Sequence, residues 1–210
     1  MTGAPGHAMK LIVLDRDGTI NEDRDDYVKS EEEWEPLPGA LEAIARLHHA
    51  GYHIVLATNQ SGLGRGLFDM ATLNGIHLKM NTALAKVGGR IDAVFFCPHA
   101  PDDACECRKP LPGLFKRIAE RYGVGLAGVP SAGDSLRDLQ AAAAAGCAPH
   151  LVRTGKAGAL EAATFAHWLG QGPGTTVHAD LGEFADFVIQ RERDQRHAAG
   201  GPESVYGRLE

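Results

Sequence analysis

The chain has 210 residues, 44% hydrophobic and 23% charged, with a formal net charge of -6 and a pI near 5.9. That length suits a single domain with a full core, and the acidic balance argues against a nonspecific nucleic-acid binder. No apolar run approaches a membrane span, residues 1–10 lack the apolar stretch of a signal peptide, and no disulfide framework suggests itself, so a reducing, cytoplasmic setting is expected.

Apolar runs and helical periodicities alternate along the chain, which predicts an α/β fold with a mainly parallel sheet. Met9–Leu14 is a short apolar run and reads as the first strand. Asn21–Pro38 follows without periodicity and is rich in acidic residues; long loops of this kind tend to be functional. Gly39–Ala50 has helical spacing at Leu41, Ile44, Ala45 and Leu47, Tyr52–Ala57 reads as a strand, and Ala71–Val87 as a helix. A strand at Asp92–Phe96 is followed by a helix from Pro112 to Tyr122, with the proline tolerated in its first turn. Gly128–Ala132 predicts a strand, Leu136–Ala145 a helix ended by Gly146, and His150–Arg153 a further strand. Helices over Ala157–Leu169 and Leu181–Arg191 flank a short strand at Thr176–His178. One domain over residues 9–191 is expected, with the polar, aperiodic ends 1–8 and 194–210 as flexible tails.

The densest chemical signal lies between Cys97 and Pro110. Cys97, His99, Cys105 and Cys107 fall within eleven residues and are followed at once by Arg108 and Lys109. Three thiolates and one imidazole complete the tetrahedral shell of a structural zinc and leave no open position for substrate. The loop therefore reads as a clamp that delivers two cations to something anionic.

Other polar groups gather just after the predicted strands, where open α/β sheets place their ligands. Asp15 and Asp17 follow the first strand, Thr58, Asn59, Gln60 and Ser61 the second, and Asp134 and Asp138 the strand near Val129. Any one of these is unremarkable, since an isolated Asp-x-Asp is usually a turn or solvated surface. Acidic residues from two strand ends, however, make a site for a hard cation such as Mg²⁺, which also holds phosphate.

Taken in order, these four segments resemble the motifs of the haloacid dehalogenase superfamily: Asp15 to Thr19, then Thr58, then Lys109, then Asp134 with Asp138. The resemblance implies a Rossmann-like three-layer sandwich, and the short connecting segments leave room only for a minimal cap. The zinc loop narrows it to a small-cap branch whose members act on heptose bisphosphate or on histidinol phosphate. The phrases around Asp15, Thr58, Arg65, Cys97 and Cys107 are most similar to the heptose-specific members.

By that resemblance Asp15 is the nucleophile that forms an aspartyl phosphate, and Asp17 the acid and then the base. Asp15, the Asp17 main-chain carbonyl and Asp134 would hold Mg²⁺, while Thr58 and Lys109 would bind the phosphoryl oxygens. Arg108, Asn59, Gln60, Ser61, Asp23 and Tyr27 would contact a small phosphorylated sugar, with Arg108 gripping its second phosphate. The expected reaction is loss of the C7 phosphate of a heptose 1,7-bisphosphate, with histidinol phosphate as the alternative substrate, in a monomer without nucleic-acid or membrane partners. Ser135 stands where some relatives have lysine, so that lysine's role does not transfer. Two rival readings fit poorly: a Gly-x-Ser-x-Gly elbow around Ser135 lacks its last glycine, and Gly62, Gly64 and Gly66 miss the dinucleotide spacing.

Overall fold

The computed structural model describes residues 9–199. Six strands form one all-parallel sheet: β1 (Leu11–Leu14), β2 (His53–Asn59), β3 (Ala93–Cys97), β4 (Pro130–Gly133), β5 (Ala148–Val152) and β6 (Thr176–His178). Their order across the sheet is β3-β2-β1-β4-β5-β6. The helices are α1 (Ala40–His49), α2 (Ser61–Gly64), α3 (Met70–Lys86), α4 (Gly113–Tyr122), α5 (Leu136–Ala144), α6 (Gly155–Gly158), α7 (Ala162–Gln171) and α8 (Leu181–Ala199).

The alternation of side chains along each strand divides the core into two faces. Ile12, Leu14, Ile54 and Leu56 pack on one side with Ile44 and Leu47 of α1, Ile76 and Met80 of α3, and Phe184 and Val188 of α8. Leu11, Val13, Val55 and Ala57 face the other side, against Leu114, Phe115 and Ile118 of α4 and Ala141 and Ala142 of α5. The central strand is buried on both faces, so it reads as an unbroken apolar run. The result is a three-layer α/β sandwich.

Strand order places the chemistry. The chain leaves β1 towards β2 on one side and returns through β4 on the other, so their carboxyl ends diverge around a crevice. Asp15 stands at its floor, its main-chain N–H donating to Ala132 of β4 at 2.9 Å. The loop after β1 is anchored by the buried side chains of Ile20, Val28 and Trp34, so it arches over the crevice as a packed element.

Apart from the short helix α2, which was not expected, predicted and observed elements agree in type and order, with three further differences of physical interest. The single helix expected over Ala157–Leu169 is two, α6 and α7. The chain turns between them so that Ala157 enters the core while Phe165 and Trp168 pack beside Leu139 and Leu151. Helix α8 runs on to Ala199, so residues 194–199 are helix and not tail; the pairs Gln190–Asp194 and Glu192–Arg196 support turns that have no apolar periodicity to announce them. The expected tail segments 1–8 and 200–210 lie outside the described residues. Last, β2 and β3 extend to Asn59 and Cys97, which pair in register, so the first zinc ligand is itself a strand residue.

Away from the crevice, His150 of β5 and His178 of β6 are buried side by side, with Nδ1 and Nε2 2.9 Å apart and Phe184 packed edge-on against both rings. Burial, reinforced by the His178 and Arg191 charges, pushes His150 down to about 3, and burial also lowers His178. A folded-state value below the unfolded one means stability is complete above the unfolded pKa near 6.5 and is lost as pH falls below it. Urea midpoints should therefore correspond to a loss of about 2 kcal/mol from His150 alone between pH 7 and pH 5. His150→Leu should flatten that acid slope, and an unchanged slope would show that the pair is not responsible.

Candidate active site

The crevice encloses a cavity of about 220 Å³ whose lining includes Asp15, Asp17, Asp23, Tyr27, Thr58, Asn59, Gln60, Ser61, Arg108, Lys109 and Asp134. All ten residues expected to serve catalysis or substrate binding therefore meet in one place, together with the expected metal carboxylate Asp134.

At its base, the buried Lys109 ammonium bridges Asp15 Oδ1 at 2.8 Å and Asp138 Oδ1 at 2.5 Å. Burial alone would lower the Lys109 pKa, but the Asp138 and Asp15 carboxylates outweigh it and hold the group above its ordinary value. Asn59 fixes the Lys109 main chain from both sides: Lys109 N–H donates to Asn59 Oδ1 at 3.0 Å and Asn59 Nδ2 donates to the Lys109 carbonyl at 3.1 Å. The Asn59 amide, expected to touch substrate, is thus committed to positioning Lys109. Asp138 is set in turn by Ser135, whose N–H and Oγ donate to Oδ2 at 3.0 and 2.5 Å. Ser135 therefore caps a helix and serves a carboxylate, as an elbow nucleophile would not.

Asp17 lies in a different environment from Asp15. Arg16 Nη2 donates to both of its oxygens at 2.8 and 2.9 Å, Asn21 Nδ2 to Oδ1 at 3.0 Å, and Gln60 Nε2 to Oδ2 at 3.0 Å. Burial opposes ionisation, but the Arg16 charge and these hydrogen bonds win, and the carboxyl sits below its ordinary range. Asp15 is pushed up to about 6 by burial and then by Asp138, and burial with Asp138 and Asp15 raises Asp134 well above its usual value.

Carboxylate oxygens of Asp15, Asp134 and Asp138 lie within 4.8 Å of one another. Three carboxylates so crowded, two of them raised by burial and by their neighbours, fit a divalent, oxygen-seeking cation. Asp138 belongs to this group although only Asp15, Asp17 and Asp134 were expected to hold Mg²⁺. The Asp17 side chain is turned to Arg16, which leaves its main-chain carbonyl as the group available for that role.

The four soft donors fit zinc. Tetrahedral bonds of about 2.3 Å to sulfur and 2.0–2.1 Å to nitrogen place sulfurs about 3.8 Å apart and sulfur and nitrogen about 3.5 Å apart. Cys97 Sγ lies 3.8 Å from Cys105 Sγ and 3.5 Å from His99 Nδ1, and Cys107 Sγ lies 3.3 Å from the same nitrogen. Burial and the adjacent thiols push Cys97 up to about 12, a penalty on its thiolate that a bound cation removes.

The model of the haloacid dehalogenase-like hydrolases matches residues 20–146. The chain belongs to this family. A D-glycero-beta-D-manno-heptose-1,7-bisphosphate 7-phosphatase from Bordetella bronchiseptica is 61% identical over 185 residues, covering 87% of this chain and 99% of the relative. An enzyme of the same name from Neisseria meningitidis is 46% identical over 182 residues, 87% of this chain and 96% of its own. The crystal structure of the D,D-heptose 1,7-bisphosphate phosphatase from B. bronchiseptica, complexed with magnesium and phosphate, superposes with a TM-score of 0.80. It is 60% identical, and the match covers 87% of this chain and 99% of that one.

Several residues of this haloacid dehalogenase-like hydrolase escaped the sequence reading. Arg16 and Asn21 flank the Asp17 carboxylate, and Arg24 and Arg137 line the cavity. Thr154 and Lys156 follow β5 and tie the site together: Thr154 Oγ1 donates to the Gly18 carbonyl and Lys156 N–H to Asp134 Oδ2, each at 2.6 Å. Gly18 and Gly155 have left-handed φ of 76° and 45°, and a Cβ on either would fall within 2.3 Å of Asp134 Oδ2. The signal that finds the β5 loop is the one used for β1, β2 and β4, a polar run just past a strand.

Metal analysis of the purified chain should find about one zinc per molecule. Cys105→Ser should lose it, unfold at lower temperature and lose activity, because Arg108 and Lys109 follow the ligands directly. A metal-free chain of equal stability would overturn the zinc assignment.

Proposed function

We propose that this chain is a Mg²⁺-dependent phosphatase that removes the C7 phosphate of D-glycero-β-D-manno-heptose 1,7-bisphosphate. The observation that carries the reading is the convergence of Asp15, Asp17, Thr58, Lys109 and Asp134 on one cavity, in a chain 61% identical to an enzyme of that name. The relatives described above share the heptose name, which favours heptose bisphosphate over histidinol phosphate. The product belongs to the supply of ADP- or GDP-heptose. The cytoplasm suits such a substrate, no helix among the described residues is long and apolar enough to cross a membrane, and one chain supplies every group in the site, as a monomer requires.

The residues divide the reaction between them. Asp15 attacks phosphorus in line, forming the aspartyl phosphate as the P–O bond to C7 breaks. Asp17, in the protonated form of its carboxyl, gives that proton to the departing sugar oxygen, and the carboxylate so formed takes one from the water that hydrolyses the intermediate. Its bonds to Arg16, Asn21 and Gln60 hold the anionic form that the second step uses. Lys109 and Thr58 receive the equatorial phosphoryl oxygens, where negative charge spreads in the transition state. Asp15, Asp134 and the Asp17 carbonyl would hold Mg²⁺, which when bound lowers the repulsion between carboxylate and phosphate. Arg108 lies among the described residues without a carboxylate partner and offers a planar fork to the second phosphate, while Asp23, Tyr27 and Ser61 face the sugar.

Asp15→Asn should lower kcat by roughly 10⁴-fold with the thermal transition intact. Substantial residual turnover would remove Asp15 as nucleophile. Arg108→Ala should raise KM for the bisphosphate about tenfold to hundredfold and spare histidinol phosphate, since a charge-assisted hydrogen bond contributes about 1.5–3 kcal/mol. Equal losses on both substrates would refute its role at the second phosphate, and a wild-type preference for histidinol phosphate would refute the substrate itself.

A further inference from the structure

The loop after β5 brings one more cation to the cavity. Thr154 is tied to the Gly18 carbonyl, Gly155 presses against Asp134, and the Lys156 N–H donates to Asp134 Oδ2. The Lys156 main chain is thereby fixed beside the metal carboxylate, while its side chain lines the cavity. There its ammonium pairs with Asp23 on the loop after β1, and both residues line the cavity. The pair joins the β5 side of the crevice to the arching loop, whereas Lys109 and Arg108 enter from the β3 side.

We propose that Lys156 is a specificity-determining cation for the distal phosphate of the bisphosphate, and that Asp23 holds its ammonium in place until that phosphate arrives. This rests on the substrate reading given above. The reacting phosphate must lie over Asp15 and Asp134, at the floor. The Lys156 ammonium pairs with Asp23 and with neither of these carboxylates, so it serves a group nearer the arching loop.

The contrast with Lys109 supports the assignment. Lys109 is 4% exposed and shared by two carboxylates, whereas the Lys156 and Asp23 side chains are 45% and 20% exposed and pair one to one. A pair so open to water is held by about 1 kcal/mol or less. A phosphate carrying about -1.5 to -2 charges offers more acceptors than one carboxylate and displaces it. Asp23, released, is then free to accept from a sugar hydroxyl.

The test compares heptose 1,7-bisphosphate with heptose 7-phosphate, which lacks the distal group but shares the reacting one. Lys156→Met keeps the main-chain N–H to Asp134. It should raise KM for the bisphosphate about tenfold, the equivalent of about 1.4 kcal/mol, and change KM for the 7-phosphate by less than about twofold. Lys156→Arg should restore the preference. Asp23→Asn should lower KM for the bisphosphate, and this gain should vanish in the double variant with Lys156→Met. Equal losses on both substrates, or an Asp23→Asn loss that copies Lys156→Met, would make the pair a structural strap and overturn the proposal. A wild-type enzyme that shows no preference for the bisphosphate would instead overturn the substrate reading. A preference that survives in wild type but not as predicted in these variants would sink the Lys156 role alone.

Discussion

The site is built around an ammonium taken out of water. Removing a lysine charge from solvent costs several kcal/mol, and only close, well-placed anions offset it. Lys109 has two, Asp15 and Asp138, delivered by the ends of β1 and α5. Neither carboxylate is free to move away, because Asp15 continues a strand hydrogen-bonded to β4 and Asp138 is held by Ser135. The main chain of Lys109 is clamped by Asn59 at the end of β2. The end of β1 and the first turn of α5 thus meet at the Lys109 ammonium while the end of β2 holds its main chain, and the geometry of the phosphate site follows from that convergence.

Such convergence explains why a metal belongs in the loop that supplies Lys109. Between β3 and α4 the chain has little apolar material, and a polar loop cannot hold a fixed course by burial alone. Cys97 and Cys107 enter the second core beside Leu114 and Phe115, so the two buried thiols anchor the loop at both ends. His99 and Cys105 supply the two remaining donors between them and would complete a zinc shell. Zinc held by these four residues would substitute for the hydrophobic packing that fixes the other crossovers. It would set where Arg108 and Lys109 begin, since they follow Cys107 directly.

Much of this was legible in the sequence because strand ends are marked twice, by the end of an apolar run and by the polar residues that follow. Asp15, Thr58 and Asp134 stand out in that way, and the cysteine spacing defines the zinc ligands outright. The partners of these groups were harder to see. Arg16 reads as the unassigned residue of an Asp-x-Asp, yet it is buried and fixes Asp17, a fact that depends on Gln60 arriving from β2. Asn59 was expected at the sugar because it neighbours Thr58. Only the register of β2 against β3 shows that its amide faces the Lys109 main chain. The end of α8 was missed because its helicity rests on charged pairs, which leave no apolar stripe.

The separate fates of the carboxylates explain how so acidic a cavity can receive an anion. Asp17 shares a guanidinium and two amides, and it remains ionised unaided. Asp15 and Asp138 share one ammonium, Asp134 crowds beside them with only the Lys156 N–H, and burial together with mutual repulsion raises Asp15 and Asp134. Environments that push neighbouring carboxyl groups apart in this way sort them into different tasks. The satisfied one, held as an anion, is set to take a proton from the attacking water. The unsatisfied ones define the place where added positive charge is most strongly stabilised, and the nucleophile is among them. Charge that makes Asp15 a better anion therefore sits where it also screens the incoming phosphate, so one arrangement prepares both partners of the displacement.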